Sequence, residues 1–278
     1  MIPTYNSAGV IGACLRSLPP GLAVIVADNA SSDATVAIAK TARPDARILQ
    51  RQKNDGFGMA ANAGWHVAQT GFVVFVNPDL EVQEGTFGTV MNVASSDPNI
   101  SILGSPDAKG DAPRLSEPFV DAEMVSGAFF AVRRNLFPAG DLFDPAFFLY
   151  FEDYDVCVRA RSAGRRVVLV RDAAVRHAQG QSTTGAFDNG LEKAWLWGAS
   201  CQYFASKHRR TADADYARSR VNNYLRRSWL QRWWRRDRPA LLNEARADGA
   251  RAVVRYGPET MRENGFTNGT WRTARLTR

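Results

Sequence analysis

Apolar residues fall in short runs separated by polar stretches rich in glycine and proline. The clearest run is Phe-Val-Val-Phe-Val at 72–76, closed by Asn77, Pro78 and Asp79. A run this short, rich in Val and Phe and ended by a proline-containing breaker, predicts a strand buried on both faces. Runs at 22–27, 46–50, 100–103 and 166–170 predict further strands, and 124–132 reads as a longer one kinked at Gly127. Helical spacing over 10–18, 34–42, 84–95 and 156–163 fills the intervals, with another helix leading from the glycine-rich 54–64 to about residue 69. Residues 1–6 read as the end of a strand whose beginning is missing. This alternation predicts an α/β fold with a mainly parallel sheet and helices on both faces.

In open α/β sheets ligands bind at the carboxyl ends of the strands, which is where this chain places its polar clusters. Asp79 follows the 72–76 strand, where a carboxylate suits a divalent metal holding phosphates. Asp28 to Asp33 link a strand to a helix; Ser31, Ser32 and Asp33 offer cap chemistry there, and free N–H groups suit an anion or a ribose. Gly56, Gly58 and Gly64 allow close backbone approach, in neither a dinucleotide fingerprint nor a P-loop pattern. Glu152 and Asp153 open a helix, and His177 follows a strand. Each has a plainer reading as well: a turn at 77–79, acids favoured by a helix dipole, a structural histidine. At the ends of successive elements of one sheet, they are placed to meet as metal ligand, base and second ligand.

Composition narrows the class. With 278 residues and 45% hydrophobic content the chain can bury a full core. No run approaches the roughly 18 apolar residues of a membrane span, and the first residues lack signal-peptide character. The three cysteines are far apart, which indicates neither a zinc site nor a disulfide framework and fits a reducing cytoplasm. Charge is asymmetric: from Cys201 onward 17 Arg and one Lys stand against four Asp and three Glu, more than the whole chain's net +7, so the preceding 200 residues are net acidic. A basic tail of this kind meets anionic surfaces.

Seven ordered motifs carry a resemblance: Pro3 to Asn6, Asp28 to Asp33, Asn54 to Gly58 with Asn62 to Gly64, Asn77 to Asp79, Ser126 to Ala128, Phe151 to Asp153 with Arg159 to Gly164, and His177 with Gly180 and Ser182. Over residues 1–210 the chain resembles family 2 glycosyltransferases, within them the rhamnosyltransferases of bacterial surface polysaccharide. The resemblance implies a GT-A fold and an inverting reaction on a dTDP- or UDP-type sugar donor. It implies that Thr4 and Asp28 hold the nucleoside and that the loop from Asn54 through Gly56 and Phe57 to Asn62 closes on the donor. Asp79 would bind Mg²⁺ or Mn²⁺ with His177 as a second contact, and Asp153 would be the catalytic base beside Glu152. Asn77 stands where the family's metal motif has its first acid. The family's first strand normally precedes Pro3, so the glycosyltransferase domain is expected over 1–205 with that strand truncated, and a basic helical extension over 206–278.

In that extension Leu225, Trp229 and Trp233 recur at helical spacing beside Leu230 and Trp234, among Arg226, Arg227, Arg232, Arg235 and Arg236. Such a stripe suits a helix on an anionic membrane, and equally one packed on the catalytic domain. Residues past Gly257 read as a loose polar tail. The acceptor implied is a glycan or a lipid-linked glycan, and the expected location is the cytoplasm, with peripheral contact to the inner membrane face. Two rival classes remain in view. A sugar-nucleotide pyrophosphorylase needs a basic glycine-rich N-terminal loop, which is absent. A nucleic-acid-binding protein would use the Arg- and Trp-rich tail but gives the strand-end acids no role, so nucleic acid is not an expected partner.

Overall fold

The computed structural model describes residues 1–109, 116–177, 190–209, 212–231, 238–259 and 261. The chain divides into two compact units, Met1–Phe143 with Asp153–Thr184, and Asp144–Glu152 with Gly185–Arg278.

In the first unit β1 (Ile2–Thr4), β2 (Ile25–Asp28) and β3 (Arg47–Gln50) pair in parallel. The Met1 amino nitrogen donates to the Val74 carbonyl at 2.9 Å, and the Met1 carbonyl accepts from Val76 N–H at 2.9 Å. That is a parallel ladder, and it sets β1 beside β4 (Phe72–Val76). The spatial order is therefore β3-β2-β1-β4. β4 also edges a five-stranded sheet that contains β6 (Ile100–Gly104), β7 (Phe119–Asp121), β8 (Phe129–Arg133) and β9 (Arg166–Val170) in the order β4-β8-β6-β9-β7. β8 is antiparallel to β4 and β6, β7 is antiparallel to β9, and β6 is parallel to β9. Of these eight strands all except β7 and β8 thus share one direction, the mainly parallel arrangement that the β–α alternation predicts. A separate short ladder pairs β5 (Leu80–Val82) antiparallel with β10 (Val175–His177).

Alternating side chains feed two apolar layers, one on each face. Val73 and Phe75 of β4 join Phe130 and Val132 of β8, against Ala61 and Trp65 of α3 (Phe57–Val67) and Val156 of α5 (Glu152–Ser162). On the other face Val76, Phe129 and Ala131 meet Ile11 and Leu15 of α1 (Ile11–Ser17), Ala39 of α2 (Thr35–Ala42) and Val90 of α4 (Thr86–Ser96). Helices on both faces explain why β4 reads as an unbroken apolar run. Burying a side chain such as Phe75 contributes about 1.5–3 kcal/mol.

Two expectations shift. The 124–132 run is a strand only from Phe129; residues 124–128 turn instead, because Ser126 carbonyl accepts from Phe129 N–H at 3.3 Å and the Gly127 N–H is drawn to a carboxylate. β2 begins at Ile25 rather than residue 22, whereas α5 begins at Glu152, as the reading of Glu152 and Asp153 at a helix start expects. Contacts divide the chain near residue 184. The reason is that α6 (Leu191–Lys207) packs with α7 (Ala212–Gln231) and α8 (Arg238–Tyr256).

In this second unit α6 and α8 cross with their backbones touching. A Cβ on Gly198 would stand 1.9 Å from the Arg246 carbonyl oxygen, and one on Gly249 2.0 Å from that of Trp195. Asp144 anchors the 144–152 segment on α6 through Tyr203 Oη (3.0 Å) and Lys207 Nζ (2.6 Å). Burial pulls the Asp144 carboxyl upward, but the Lys207 ammonium, the Ala146 amide and the Tyr203 hydroxyl outweigh it and hold the group below the usual carboxylate range. Trp229 and Leu230 belong to α7, but their side chains, and Trp233, Trp234 and most of the tail past Gly257, lie outside the described residues. No helix among the described residues is long and apolar enough to cross a membrane.

The α6–α8 crossing admits no side chain. Gly249→Ala should destabilise the helical unit by about 1–3 kcal/mol, read as a lower urea midpoint of helical circular dichroism. A wild-type midpoint would show that the helices do not meet this closely.

Candidate active site

With the order β3-β2-β1-β4, the chain reverses its direction of winding between β1 and β4, the place where open α/β sheets bind ligands. Thr4 ends β1 and stands in register beside Asp28, which ends β2. Both are buried, at 3% and 1% exposure. Asp28 Oδ2 accepts from Ser31 N–H at 3.2 Å, whereas Asp28 Oδ1 and Thr4 Oγ1 are sealed from water with no hydrogen-bond partner. Leaving such acceptors unmet costs about 1–3 kcal/mol each, and a nucleoside carries the N–H and O–H donors that would meet them. The neighbouring loops are clamped together: Ser31 Oγ accepts from Asn6 N–H at 2.8 Å, Asn6 Oδ1 from Ser32 N–H at 2.8 Å, and Asp33 Oδ2 from Ala8 N–H at 3.1 Å. Asp33 also accepts from Thr35 N–H at 3.0 Å, so of the three cap candidates it is the one that serves the start of α2.

Asn29, not singled out in the sequence, organises the next loop. Its Nδ2 donates to Asn54 Oδ1 (2.6 Å) and the Gly56 carbonyl (3.0 Å), and its Oδ1 accepts from Arg51 (2.9 Å). Arg51 in turn pairs with Asp55 at 3.0 Å. Asn54 is thereby fixed, its Oδ1 also accepting from Gly56 N–H at 3.0 Å. At φ +91° Gly56 takes a conformation closed to side chains as it enters α3. The other two loop candidates turn inward. Asn62 donates to the Phe143 carbonyl at 2.8 Å and accepts from Phe143 N–H at 2.9 Å, all buried. Phe57 packs edge-on against the Phe143 ring at 5.8 Å. Asn62 and Phe57 therefore pin residue 143 to α3.

At the end of β4, Asn77 N–H donates to the Ala128 carbonyl at 2.8 Å and Asn77 carbonyl accepts from Leu80 N–H at 3.1 Å. Asp79 follows, 5% exposed. His177 lies opposite Leu80 in the β5–β10 ladder, which brings its backbone within one residue of Asp79. Gly127, next to Ala128, donates its N–H to Asp153 Oδ2 at 2.7 Å, and Asp153 Oδ1 accepts from Tyr154 N–H at 2.8 Å. The turn at 126–128 thus joins the strand end that carries Asp79 to the helix start that carries Asp153. A Cβ at Gly127 would press on Asp153 Oδ2 at 3.2 Å, so a side chain there would make the carboxylate give way by a few tenths of an ångström. Asp153 is partly exposed, whereas Glu152, which belongs to the second unit, is 6% exposed.

The hard carboxylate of Asp79, with the His177 backbone in the adjoining register position, fits a Mg²⁺ or Mn²⁺ that draws its other ligands from phosphate and water. Among the described residues no three His, Cys, Asp or Glu side chains form a complete metal site. Burial pushes both the Cys14 and Cys201 thiols up to about 12, so neither serves as a nucleophile.

Both ends of the Asn62 amide are bonded to the Phe143 backbone. Asn62→Leu leaves both Phe143 backbone groups buried and unmet, so unfolding free energy should drop by roughly 2–5 kcal/mol. A stability loss under 1 kcal/mol in guanidinium melts would return Asn62 to the ligand side.

Residues 1–155 match the sequence profile described as Glycosyl transferase family 2. The chain is 27% identical over 211 residues to an N-acetylglucosaminyl-diphospho-decaprenol L-rhamnosyltransferase of Mycobacterium tuberculosis, an alignment covering 58% of this chain and 68% of that protein. Among solved structures, the mannosyltransferase PcManGT of Pyrobaculum calidifontis, in complex with GDP-Man and Mn²⁺, superposes with a TM-score of 0.59 at 16% identity, over 95% of this chain and 77% of that one. Residues 1–349 of S. aureus TarS, in complex with UDP-GlcNAc, give a TM-score of 0.59 at 17% identity, over 98% and 90%. A longer TarS structure matches at 0.56 and 18% identity over 86% of this chain, which spans 43% of its length. Fold and profile agree: the chain belongs to glycosyl transferase family 2, has the GT-A fold, and is a glycosyltransferase.

Proposed function

We propose that this glycosyltransferase moves a sugar, rhamnose or one similar, from a nucleoside diphosphate donor to a hydroxyl of a diphosphate-lipid-linked glycan, with inversion at the anomeric carbon, in the synthesis of a cell-surface polysaccharide. The observation that carries it is the 126–128 turn, which ties the Asp79 strand end to the Asp153 carboxylate. A donor diphosphate held at one and a hydroxyl activated at the other is the arrangement that direct displacement requires. The choice of sugar and acceptor rests on the 27% identity to the rhamnosyltransferase.

Asp28 and Thr4 accept hydrogen bonds from the nucleoside, and the Asn54–Gly56 loop, braced by Asn29, closes over it. Asp79, with His177 beside it, holds Mg²⁺ or Mn²⁺, which when bound neutralises charge on the departing diphosphate. Asp153 takes the proton from the acceptor hydroxyl as that oxygen attacks. Its two backbone hydrogen bonds fix the carboxylate's orientation, and its exposure gives it access to the acceptor. Glu152 points about 100° away on the helix and is buried, which suits a role in supporting the start of α5. The protein works in the cytoplasm at the membrane face, the basic helical unit towards anionic lipid.

Asp153→Asn keeps the shape and removes the proton affinity, so transfer should fall by at least ~10²-fold while donor binding persists. Glu152→Gln should lower stability more than turnover. Near-wild-type transfer by the Asp153→Asn enzyme in a nucleotide-release assay would refute the assignment. Gly127→Ala crowds the same carboxylate and should reduce kcat by roughly tenfold with KM for donor unchanged. A purely structural glycine would instead lower thermal stability and leave kcat of the folded protein intact.

A further inference from the structure

The bundle of the second unit contains a cationic site that the catalytic machinery does not use. Arg220 of α7 and Arg246 of α8 flank one buried ring, Tyr224, with guanidinium carbons 5.6 and 5.1 Å from its centroid. Arg220 also lies over Trp197 at 5.4 Å and Tyr216 at 5.9 Å and donates to Tyr224 Oη at 2.8 Å. Arg246 donates to Asn243 Oδ1 at 3.3 Å.

Neither guanidinium has a carboxylate at ion-pair distance among the described residues. The contrast is local: Arg218 pairs with Asp215, Arg251 with Asp248 at 2.7 Å, and Lys207 with Asp144 at 2.6 Å. Arg226 and Arg227 are exposed, but Arg220 and Arg246 are only partly exposed, and the Nε of each is sealed from solvent with no hydrogen-bond partner. Two like charges against one ring, with donors unspent, are poorly explained as packing. Cation–π contact supplies attraction but accepts none of the N–H groups. An anion with several acceptor oxygens supplies both. Guanidinium forks match phosphoryl oxygens bidentately, and a diphosphate is long enough to engage two of them. The partly exposed Trp197 and the exposed Tyr216 leave the site open on one side.

We propose that Arg220 and Arg246, set against Tyr224 and Trp197, bind the diphosphate of an isoprenoid-linked acceptor. This rests on the acceptor class proposed above and adds the residues that recognise it.

The test is calorimetric binding of geranyl diphosphate to the full chain in EDTA without nucleotide sugar, with geraniol and phosphatidylglycerol vesicles as separate arms. Wild type should bind geranyl diphosphate and not geraniol. Arg220→Gln and Arg246→Gln should each weaken binding at least tenfold, and Asp79→Ala should leave it unchanged. Should a glutamine variant lose helical circular dichroism, Arg220→Lys keeps the charge without the fork and should still weaken binding severalfold. Equal binding by wild type and folded arginine variants, loss in Asp79→Ala, or an arginine effect confined to the vesicles would overturn the site. A parallel donor-hydrolysis assay separates the failures: hydrolysis without geranyl diphosphate binding discards this inference alone, whereas absence of hydrolysis counts against the proposed reaction.

Discussion

A three-residue turn governs the geometry of the candidate active site. Ala128 carbonyl receives Asn77 N–H and Gly127 N–H reaches Asp153, so the strand that presents one acid and the helix that presents the other are spaced by a single rigid peptide segment. Backbone groups make poor targets for drift, because side-chain substitution elsewhere does not remove them. The layers beneath serve this spacing. β4 and β8 are buried on both faces, and Asn62 fastens residue 143 to α3 beside Phe75 and Phe130. The two acids therefore sit beside the ends of packed elements, Asp79 just past β4 and Asp153 at the start of α5.

The helical unit is held by different means. α6 and α8 approach to backbone contact at Gly198 and Gly249, which favours close packing over a large apolar seam. Just before Glu152, Tyr150 and Phe151 adopt φ of +72° and +67°, a conformation that costs an L residue about 1–2 kcal/mol. Aromatic packing offsets that cost: Phe151 meets Trp197 and Phe204, each at 5.3 Å, and Ser200 Oγ donates to the Leu149 carbonyl at 2.7 Å. Burial and the nearby Glu152 push the Tyr150 hydroxyl up to about 12, opposed by Arg246, so it stays a neutral donor at ordinary pH.

Much of this was legible in the chain, and the misses have physical causes. Strands such as β4 and β9 announce themselves because burial on both faces demands an unbroken apolar run. The 124–132 segment misleads because Met124 and Val125 are buried or partly buried beside the sheet without joining it, so hydrophobicity continues where hydrogen bonding stops. β5, β7 and β10 have three residues each, too few for a period to show. Asn62 belongs to a recognisable motif, yet no sequence pattern separates an amide that meets a ligand from one that meets a peptide 81 residues away. Asn29 was hidden for the same reason, between the more conspicuous Asp28 and Ser31. The polar ends of β1, β2 and β4 were readable because parallel topology sends them all to one edge.

Asp28 Oδ1 and Thr4 Oγ1 are buried and unmet in the protein alone, and under the proposed reaction they bear on discrimination as well as on binding. An apolar recess tells one nucleoside from another by shape and gains only a modest ratio per missing group. A lining that has already lost its water and still lacks hydrogen-bond donors penalises any occupant that fails to bring them, by factors that reach ~10⁴–10⁵ in sites built this way. Under the proposed reaction, fidelity towards the donor's nucleoside is thus written into the end of the site farthest from the bond being broken.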